Sequence, residues 1–113
     1  MKNIISKIQK RLMRSCAKSI NYVTLKQIIK ENKNAILIDV RTEDEYVDKH
    51  LQGAINIPMQ EIKEKIEKIT NDKNCIIILY CQHGSRSKKA GYKLEKMGYN
   101  NIYTLEGGIE EVY

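Results

Sequence analysis

The strongest indication of the fold is the segment Cys75-Ile-Ile-Ile-Leu-Tyr80, which continues directly as Cys81-Gln-His-Gly-Ser-Arg-Ser87. Its first part is an unbroken apolar run of strand length, which predicts a strand that is covered on both faces. The residues that follow are polar and include a glycine, as is typical of a loop. A helical pattern then begins near Ser85 and ends at Gly98, a residue type that often follows the last turn of a helix. A buried strand, a short loop and a helix are therefore predicted in succession.

Strands and helices alternate in the same way along the rest of the chain. Further strands are predicted at residues 35–40, 53–58 and 101–105. Helices are predicted from Thr24 to about Asn32, from Thr42 to about His50, and along the face formed by Ile62, Ile66 and Ile69. Thr24 with Gln27 and Thr42 with Glu45 have the spacing of capping boxes. This alternation predicts an α/β fold, with three α/β/α layers around a central, mostly parallel sheet of about five strands.

The net charge of +6 is concentrated at the N-terminus of the chain. Six of the 20 basic residues lie in the first twenty positions, so the other fourteen balance the fourteen acids. Residues 2–20 also place Ile4, Ile8 and Cys16 on one side of a predicted helix. We therefore predict a basic amphipathic helix at 1–20, a domain at 21–113 and no nucleic-acid partner. The helix could rest on an anionic membrane surface or pack on the domain, and we favour packing.

The three cysteines carry information about metal binding and cellular location. Their odd number leaves at least one thiol without a partner in the chain, and no Cys/His spacing typical of a zinc site is present. An odd, sparse set of cysteines fits a reducing compartment. No apolar run approaches the ~20 residues that span a bilayer, and the N-terminus lacks the apolar core of a secretory signal. The sequence therefore predicts a cytoplasmic protein without a metal.

Cys81 is the candidate nucleophile. In a parallel sheet, ligands bind beyond the carboxyl ends of the strands, where this cysteine lies. The following helix begins with unpaired N–H groups that favour a thiolate or a bound anion, and Arg86 adds a positive charge. Gly84 allows the loop to curl so that several amides converge on one point. A packing role for Cys81 is the alternative, and the polar residues after it disfavour that interpretation.

Five segments of the sequence together resemble the rhodanese-like family over residues 21–113. They are Cys81-Gln-His-Gly-Ser-Arg86, Asp39-Val-Arg41, Glu45-Tyr46, His50-Leu-Gln-Gly-Ala-Ile-Asn-Ile-Pro58 and Leu105-Glu-Gly-Gly-Ile109. The resemblance implies a sulfurtransferase that moves sulfane sulfur from thiosulfate or a persulfide donor to a thiophilic acceptor. Cyanide, a small thiol or a protein cysteine would serve as the acceptor. No cofactor or metal is implied.

The same resemblance implies a role for each residue of the loop. The Cys81 thiolate would hold the sulfur as a persulfide. The loop amides would cradle that persulfide, and Arg86 would bind the anionic end of the donor through paired hydrogen bonds. The residues that supply the cradle besides Arg86 are Gln82, His83, Gly84, Ser85 and Ser87.

Several residues near the Cys81 loop are expected to have structural roles. Asp39 and Arg41 follow a buried strand and are expected to brace the site, with Arg41 paired to Glu45 or to another carboxylate. His50 is expected to be structural. For His83 two interpretations stay open, a proton donor or polar wall of the pocket and an exposed loop residue. Gly107-Gly108 is expected to form a tight turn with positive φ.

The sequence departs from the family pattern at the C-terminus. Val112 stands where the family usually has a tryptophan, and most members continue beyond the position of Tyr113. The core there is expected to be covered less completely, or by residues 1–20.

A related group of phosphatases and arsenate reductases has five residues between cysteine and arginine, whereas this loop has four. A sulfur relay or a non-catalytic interaction module is the other alternative.

Overall fold

A five-stranded parallel sheet forms the centre of the computed structural model, which describes residues 17–113. The strands are β1 (Lys18–Ile20), β2 (Ile36–Asp39), β3 (Ile55–Asn56), β4 (Ile77–Tyr80) and β5 (Ile102–Leu105). They lie in the order β1-β5-β4-β2-β3, and every neighbouring pair is parallel. The predicted sheet is therefore confirmed, with the most apolar strand, β4, at its centre.

Four helices cover the two faces of the sheet. They are α1 (Tyr22–Glu31), α2 (Glu43–Asp48), α3 (Ile62–Ile69) and α4 (Ser85–Lys96). Two short 3-10 turns, Met59–Glu61 and Ile109–Glu111, complete the described secondary structure. Within residues 17–113, no helix is long and apolar enough to cross a membrane.

Alternating side chains of β4 divide the core into two layers. Ile77 and Leu79 pack with apolar residues of α3 and α4. Ile78 and Tyr80 point the other way and pack with residues of α1, and Tyr46 of α2 lies against the same layer. All four β4 side chains are buried, because the helices cover the sheet on both sides. The three-layer α/β/α arrangement predicted from the sequence is confirmed.

The predicted N-terminal helix is wrong at its C-terminal end. Residues Lys18–Ile20 form a strand that pairs in parallel with β5, and the N–H of Glu106 donates to the carbonyl of Ile20 at 2.8 Å. The edge of β5 offers backbone N–H and C=O groups that need hydrogen-bond partners. Pairing with them stabilises residues 18–20 more than the last turn of a helix that would end at residue 20. Residues 1–16 of that predicted helix, among them Cys16, lie outside the described residues.

The start of α1 also differs from the prediction. The cap is Asn21, whose side-chain oxygen accepts the Thr24 N–H at 2.8 Å, so Thr24 lies inside the helix. Asparagine is among the strongest N-cap residues, which explains why the helix begins earlier than the pattern at Thr24 predicted. By contrast, the capping box of Thr42 and Glu45 is confirmed, with Thr42 N–H to Glu45 Oε1 at 3.1 Å and Glu45 N–H to Thr42 Oγ1 at 3.2 Å.

The C-terminal end of the described chain lies on the α1 side of the sheet. Val112, which replaces the tryptophan usual in the family pattern, is partly buried and packs against the apolar layer that contains Leu25 and Ile109. The 3-10 turn that precedes it follows Gly107 and Gly108, and both glycines have positive φ, as predicted for a tight turn. This turn reaches the loop that follows β4.

Candidate active site

Cys81 follows the central strand directly and is buried, with 1% of its surface exposed. Two backbone N–H groups point at its sulfur. The Gly84 amide nitrogen lies 3.0 Å from Sγ, and the Ser87 amide nitrogen lies 3.4 Å from it. Both amides belong to the turn that opens α4, where N–H groups have no partner within the helix. The sulfur therefore occupies a position that suits negative charge.

The loop reaches this shape through Gly84 and Ser87. Gly84 has a φ of +110°, which an L side chain rarely adopts. The buried hydroxyl of Ser87 donates to the Gly84 carbonyl at 2.9 Å, and its oxygen lies 3.7 Å from the Cys81 sulfur. Of the predicted cradle residues, Gly84 and Ser87 are thus brought to the sulfur. Within this described loop, the amides of Gln82, His83, Ser85 and Arg86 make no hydrogen bond to Sγ.

The segment at Gly108 clamps the backbone of the loop from the other side. The N–H of Ile109 donates to the Cys81 carbonyl at 2.9 Å, and the N–H of Glu110 donates to the Gln82 carbonyl at 3.2 Å. A Cβ at Gly108 would overlap the carbonyl group of Gln82 and lie 2.6 Å from the Cys81 carbonyl oxygen. Only glycine allows the two segments to approach so closely. The sequence predicted a turn here but did not reveal this contact.

A buried ion pair of Asp39 and Arg41 lies at the end of β2 and contacts the loop that begins at Cys81. The Arg41 Nη2 lies 2.7 Å from Asp39 Oδ2, and both side chains are almost fully buried. Arg41 also donates through Nη1 to the Gln82 side-chain oxygen at 3.2 Å and through Nη2 to the Lys49 carbonyl at 2.6 Å. Burial alone would lower the pKa of Arg41, but the hydrogen bonds and charge of Asp39 outweigh it and raise that pKa. Arg41 therefore joins the end of β2 to the loop.

Arg86 forms a two-pronged ion pair with Glu45. Its Nη1 donates to Oε1 at 2.8 Å and its Nη2 to Oε2 at 3.1 Å, which links α4 to α2. These hydrogen bonds are the largest cause that lowers the pKa of Glu45 from about 4.5 to about 2. Arg41 takes Asp39 as its partner, and Glu45, the first carboxylate suggested for Arg41 by the sequence, instead belongs to Arg86.

The lowered pKa of Glu45 predicts a pH-dependent contribution to stability. A carboxyl with a depressed folded-state pKa stabilises the fold above its unfolded pKa, and this contribution is lost as the pH falls through the folded value. The free energy of unfolding of the native chain should therefore exceed that of Glu45→Gln near neutral pH. The excess should shrink between about pH 4.5 and about pH 2. Urea unfolding at a series of pH values measures it, and an excess that stays constant across this range would contradict the ion pair.

The two histidines lie in different surroundings. His83 is exposed at the rim of the loop, where its Nδ1 lies 2.6 Å from Glu110 Oε2. His50 stacks on the ring of Tyr46 with centroids 3.8 Å apart, and its Nδ1 lies 2.8 Å from the Tyr46 carbonyl oxygen. These contacts agree with the structural place expected for His50. Among residues 17–113, no group of three or more His, Cys, Asp or Glu side chains is placed to hold a metal ion.

The fold and the site define an α/β domain with a buried cysteine, held by helix-start amides at the carboxyl end of the central parallel strand. The family model of the rhodanese-like domain matches residues 22–113, and the chain belongs to this family. The match covers all the described elements except β1.

Named relatives and a solved structure agree with this membership. The chain is 41% identical over 75 residues to the thiosulfate sulfurtransferase PspE of Escherichia coli, covering 66% of this chain and 71% of the relative. It is 37% identical over 83 residues to a tRNA uridine(34) hydroxylase of Buchnera aphidicola, covering 70% of this chain but only 27% of that protein. The crystal structure of a rhodanese-related protein from Thermoplasma volcanium superposes with a TM-score of 0.70 at 34% identity, over 83% of this chain and 88% of that one.

Proposed function

We propose that this chain is a sulfurtransferase that carries sulfane sulfur as a persulfide on Cys81. The main support for this proposal is that the Gly84 and Ser87 amides both point at the Cys81 sulfur. Such donors favour the thiolate before reaction and the negative terminal sulfur of a persulfide after it. The similarity to a thiosulfate sulfurtransferase supports thiosulfate as a donor.

The proposed reaction has two steps and needs no external oxidant. The Cys81 thiolate attacks the outer sulfur of thiosulfate, a new S–S bond forms, and the old S–S bond breaks with its electron pair leaving on sulfite. A second nucleophile then attacks the terminal sulfur of the persulfide. When cyanide is that nucleophile, thiocyanate leaves and the thiolate is restored. A small thiol or a protein cysteine would accept the sulfur in the same way.

The other residues of the site have proposed places in this reaction. Arg86 lies in the first turn of α4, the helix that begins at this loop, and would donate to the sulfonate end of the donor. Arg41 and Asp39 act through Gln82, whose side chain Arg41 holds, and are positioning residues. Cys75 and Cys81 are free thiols in the described part of the chain, which supports a reducing location such as the cytoplasm.

The experiment that tests the proposal is a comparison of two reactions. Purified protein is incubated with thiosulfate and cyanide, and thiocyanate is measured. The same protein is incubated with p-nitrophenyl phosphate to detect phosphatase activity. Thiocyanate without phosphate release supports sulfur transfer. Phosphate release alone would favour the phosphatase alternative, against which the four-residue spacing between Cys81 and Arg86 argues. If neither thiocyanate nor phosphate forms, a sulfur relay or an interaction module is favoured.

The proposed role of Arg86 predicts a defect in donor binding. Arg86→Lys keeps the charge but loses the planar fork that can bind a sulfonate and Glu45 together. Because hydrogen bonds to charged groups contribute roughly 1.5–3 kcal/mol, the KM for thiosulfate should rise about tenfold or more. Steady-state thiocyanate formation measures KM and kcat separately. An unchanged KM would contradict contact between Arg86 and the donor.

A further inference from the structure

Glu45 occupies one edge of the arginine that is proposed to bind the sulfur donor. Both Nη atoms of Arg86 donate to the two carboxylate oxygens of Glu45. A guanidinium has five N–H donors, so this pairing uses two and leaves three for another anion. Arg86 can therefore still bind a donor, but with a carboxylate beside it.

The capping box holds Glu45 in this position. Its Oε1 accepts from the backbone N–H and from the hydroxyl of Thr42, each at 3.1 Å, as well as from Arg86. The carboxylate is thus tied to the start of α2 by two hydrogen bonds as well as to Arg86. The negative charge of Glu45 therefore lies beside Arg86 before any donor binds.

We propose that Glu45 is the residue that sets the charge preference of the donor site, restricting its affinity for dianionic donors relative to monoanionic ones. This inference rests on the proposed function, because it concerns the donor that Arg86 binds. The donor meets the sulfur of Cys81, the positive guanidinium of Arg86 and the negative carboxylate of Glu45 beside it. Each additional negative charge on the donor is repelled by Glu45, so the penalty grows with donor charge.

A substitution that keeps the cap isolates this charge. Glutamine also serves at the third helical position of a capping box, so Glu45→Gln preserves the start of α2 while removing one negative charge. Glu43→Gln is the matched control. Glu43 is exposed in the first turn of the same helix and forms no ion pair with Arg86 in the described structure.

The binding experiment uses unreactive anions that differ by one charge. Sulfate, a dianion, and methanesulfonate, a monoanion, are titrated into the native chain and the two variants, and the amide signals of residues 84–87 are followed by NMR. Glu45→Gln should lower the Kd for sulfate on the order of fivefold and the Kd for methanesulfonate about twofold. The difference should shrink at high salt. Glu43→Gln should change neither Kd appreciably.

Turnover gives a second readout of the same difference. Thiosulfate and methanethiosulfonate carry two charges and one charge and present the same outer sulfur. Glu45→Gln should lower the KM for thiosulfate more than that for methanethiosulfonate. The role of Glu45 would be overturned if Glu45→Gln weakened the binding of sulfate, or if it changed the Kd values of sulfate and methanesulfonate by the same factor. It would also be overturned if neither anion shifted the amide signals of any of the three proteins. Absence of turnover with an intact titration difference would instead overturn the proposed reaction alone.

Discussion

Replacing Cys81 with serine should abolish thiocyanate formation from thiosulfate and cyanide. Serine fits the space of the buried thiol, and its oxygen can accept the same Gly84 and Ser87 amides, so the fold should persist. A serine hydroxyl is not ionised near neutral pH and is a weak nucleophile without an adjacent base. Removing the nucleophile of a covalent mechanism costs on the order of a thousandfold or more in rate. Steady-state assays, with thermal unfolding to verify the fold, measure this loss.

Cys75→Ser is the matched control for this substitution. Cys75 lies just before β4, at the opposite end of the strand from Cys81, and its sulfur lies 3.6 Å from the Asn34 carbonyl oxygen. It has no contact with the loop that begins at Cys81. The Cys75 variant should therefore retain activity within about twofold. Activity that survives in Cys81→Ser, or disappears in Cys75→Ser, would contradict the assignment of the nucleophile.

Gly108→Ala should damage both stability and activity. Gly108 has φ of +71° and ψ of −170°, a region that is essentially restricted to glycine, and its Cβ would overlap the carbonyl group of Gln82. Backbone strain and overpacking each cost about 1–3 kcal/mol, so we expect a loss of about 2–6 kcal/mol in the free energy of unfolding. The clash lies on the backbone beside Cys81, and a displacement of about 1 Å at a reacting group costs roughly a hundredfold in rate.

Gly53→Ala separates backbone strain from the clash. Gly53 also has a positive φ, +84°, but a Cβ there would meet no atom within 4 Å. This variant should lose about 1–2 kcal/mol through strain and should keep its activity. Urea unfolding and thiocyanate assays on both variants make the comparison. If Gly108→Ala resembled Gly53→Ala in both measurements, the clamp between Gly108 and the loop would be refuted.

The sequence was informative where local pattern and tertiary structure agree. The apolar run of β4 is buried because helices cover both faces of the sheet, so its composition alone predicts its place. The capping box at Thr42 is a local contact, and the left-handed φ of Gly84 follows from its position in a short loop. The sequence alone therefore predicts the candidate nucleophile at the carboxyl edge of the sheet.

Other features depend on contacts between distant segments. The ion pair of Glu45 with Arg86 and the clamp of Gly108 on the loop join residues far apart in sequence, and spacing does not reveal them. The pairing of Arg41 with Asp39 depends on which carboxylate burial brings closest. The local pattern around β1 favours a helix, because the partner that makes it a strand, β5, lies at the other end of the described chain. In each case tertiary contact decided between patterns that the local sequence allowed.

The most direct test of a persulfide on Cys81 is the mass of the protein after exposure to thiosulfate without an acceptor. The native chain should gain the mass of one sulfur atom, located by peptide mapping on the fragment that contains Cys81, and should lose it when cyanide is added. Cys75→Ser should behave in the same way, and Cys81→Ser should gain nothing. Sulfur found on another residue, or unaltered mass in a chain that still forms thiocyanate, would contradict the proposed mechanism.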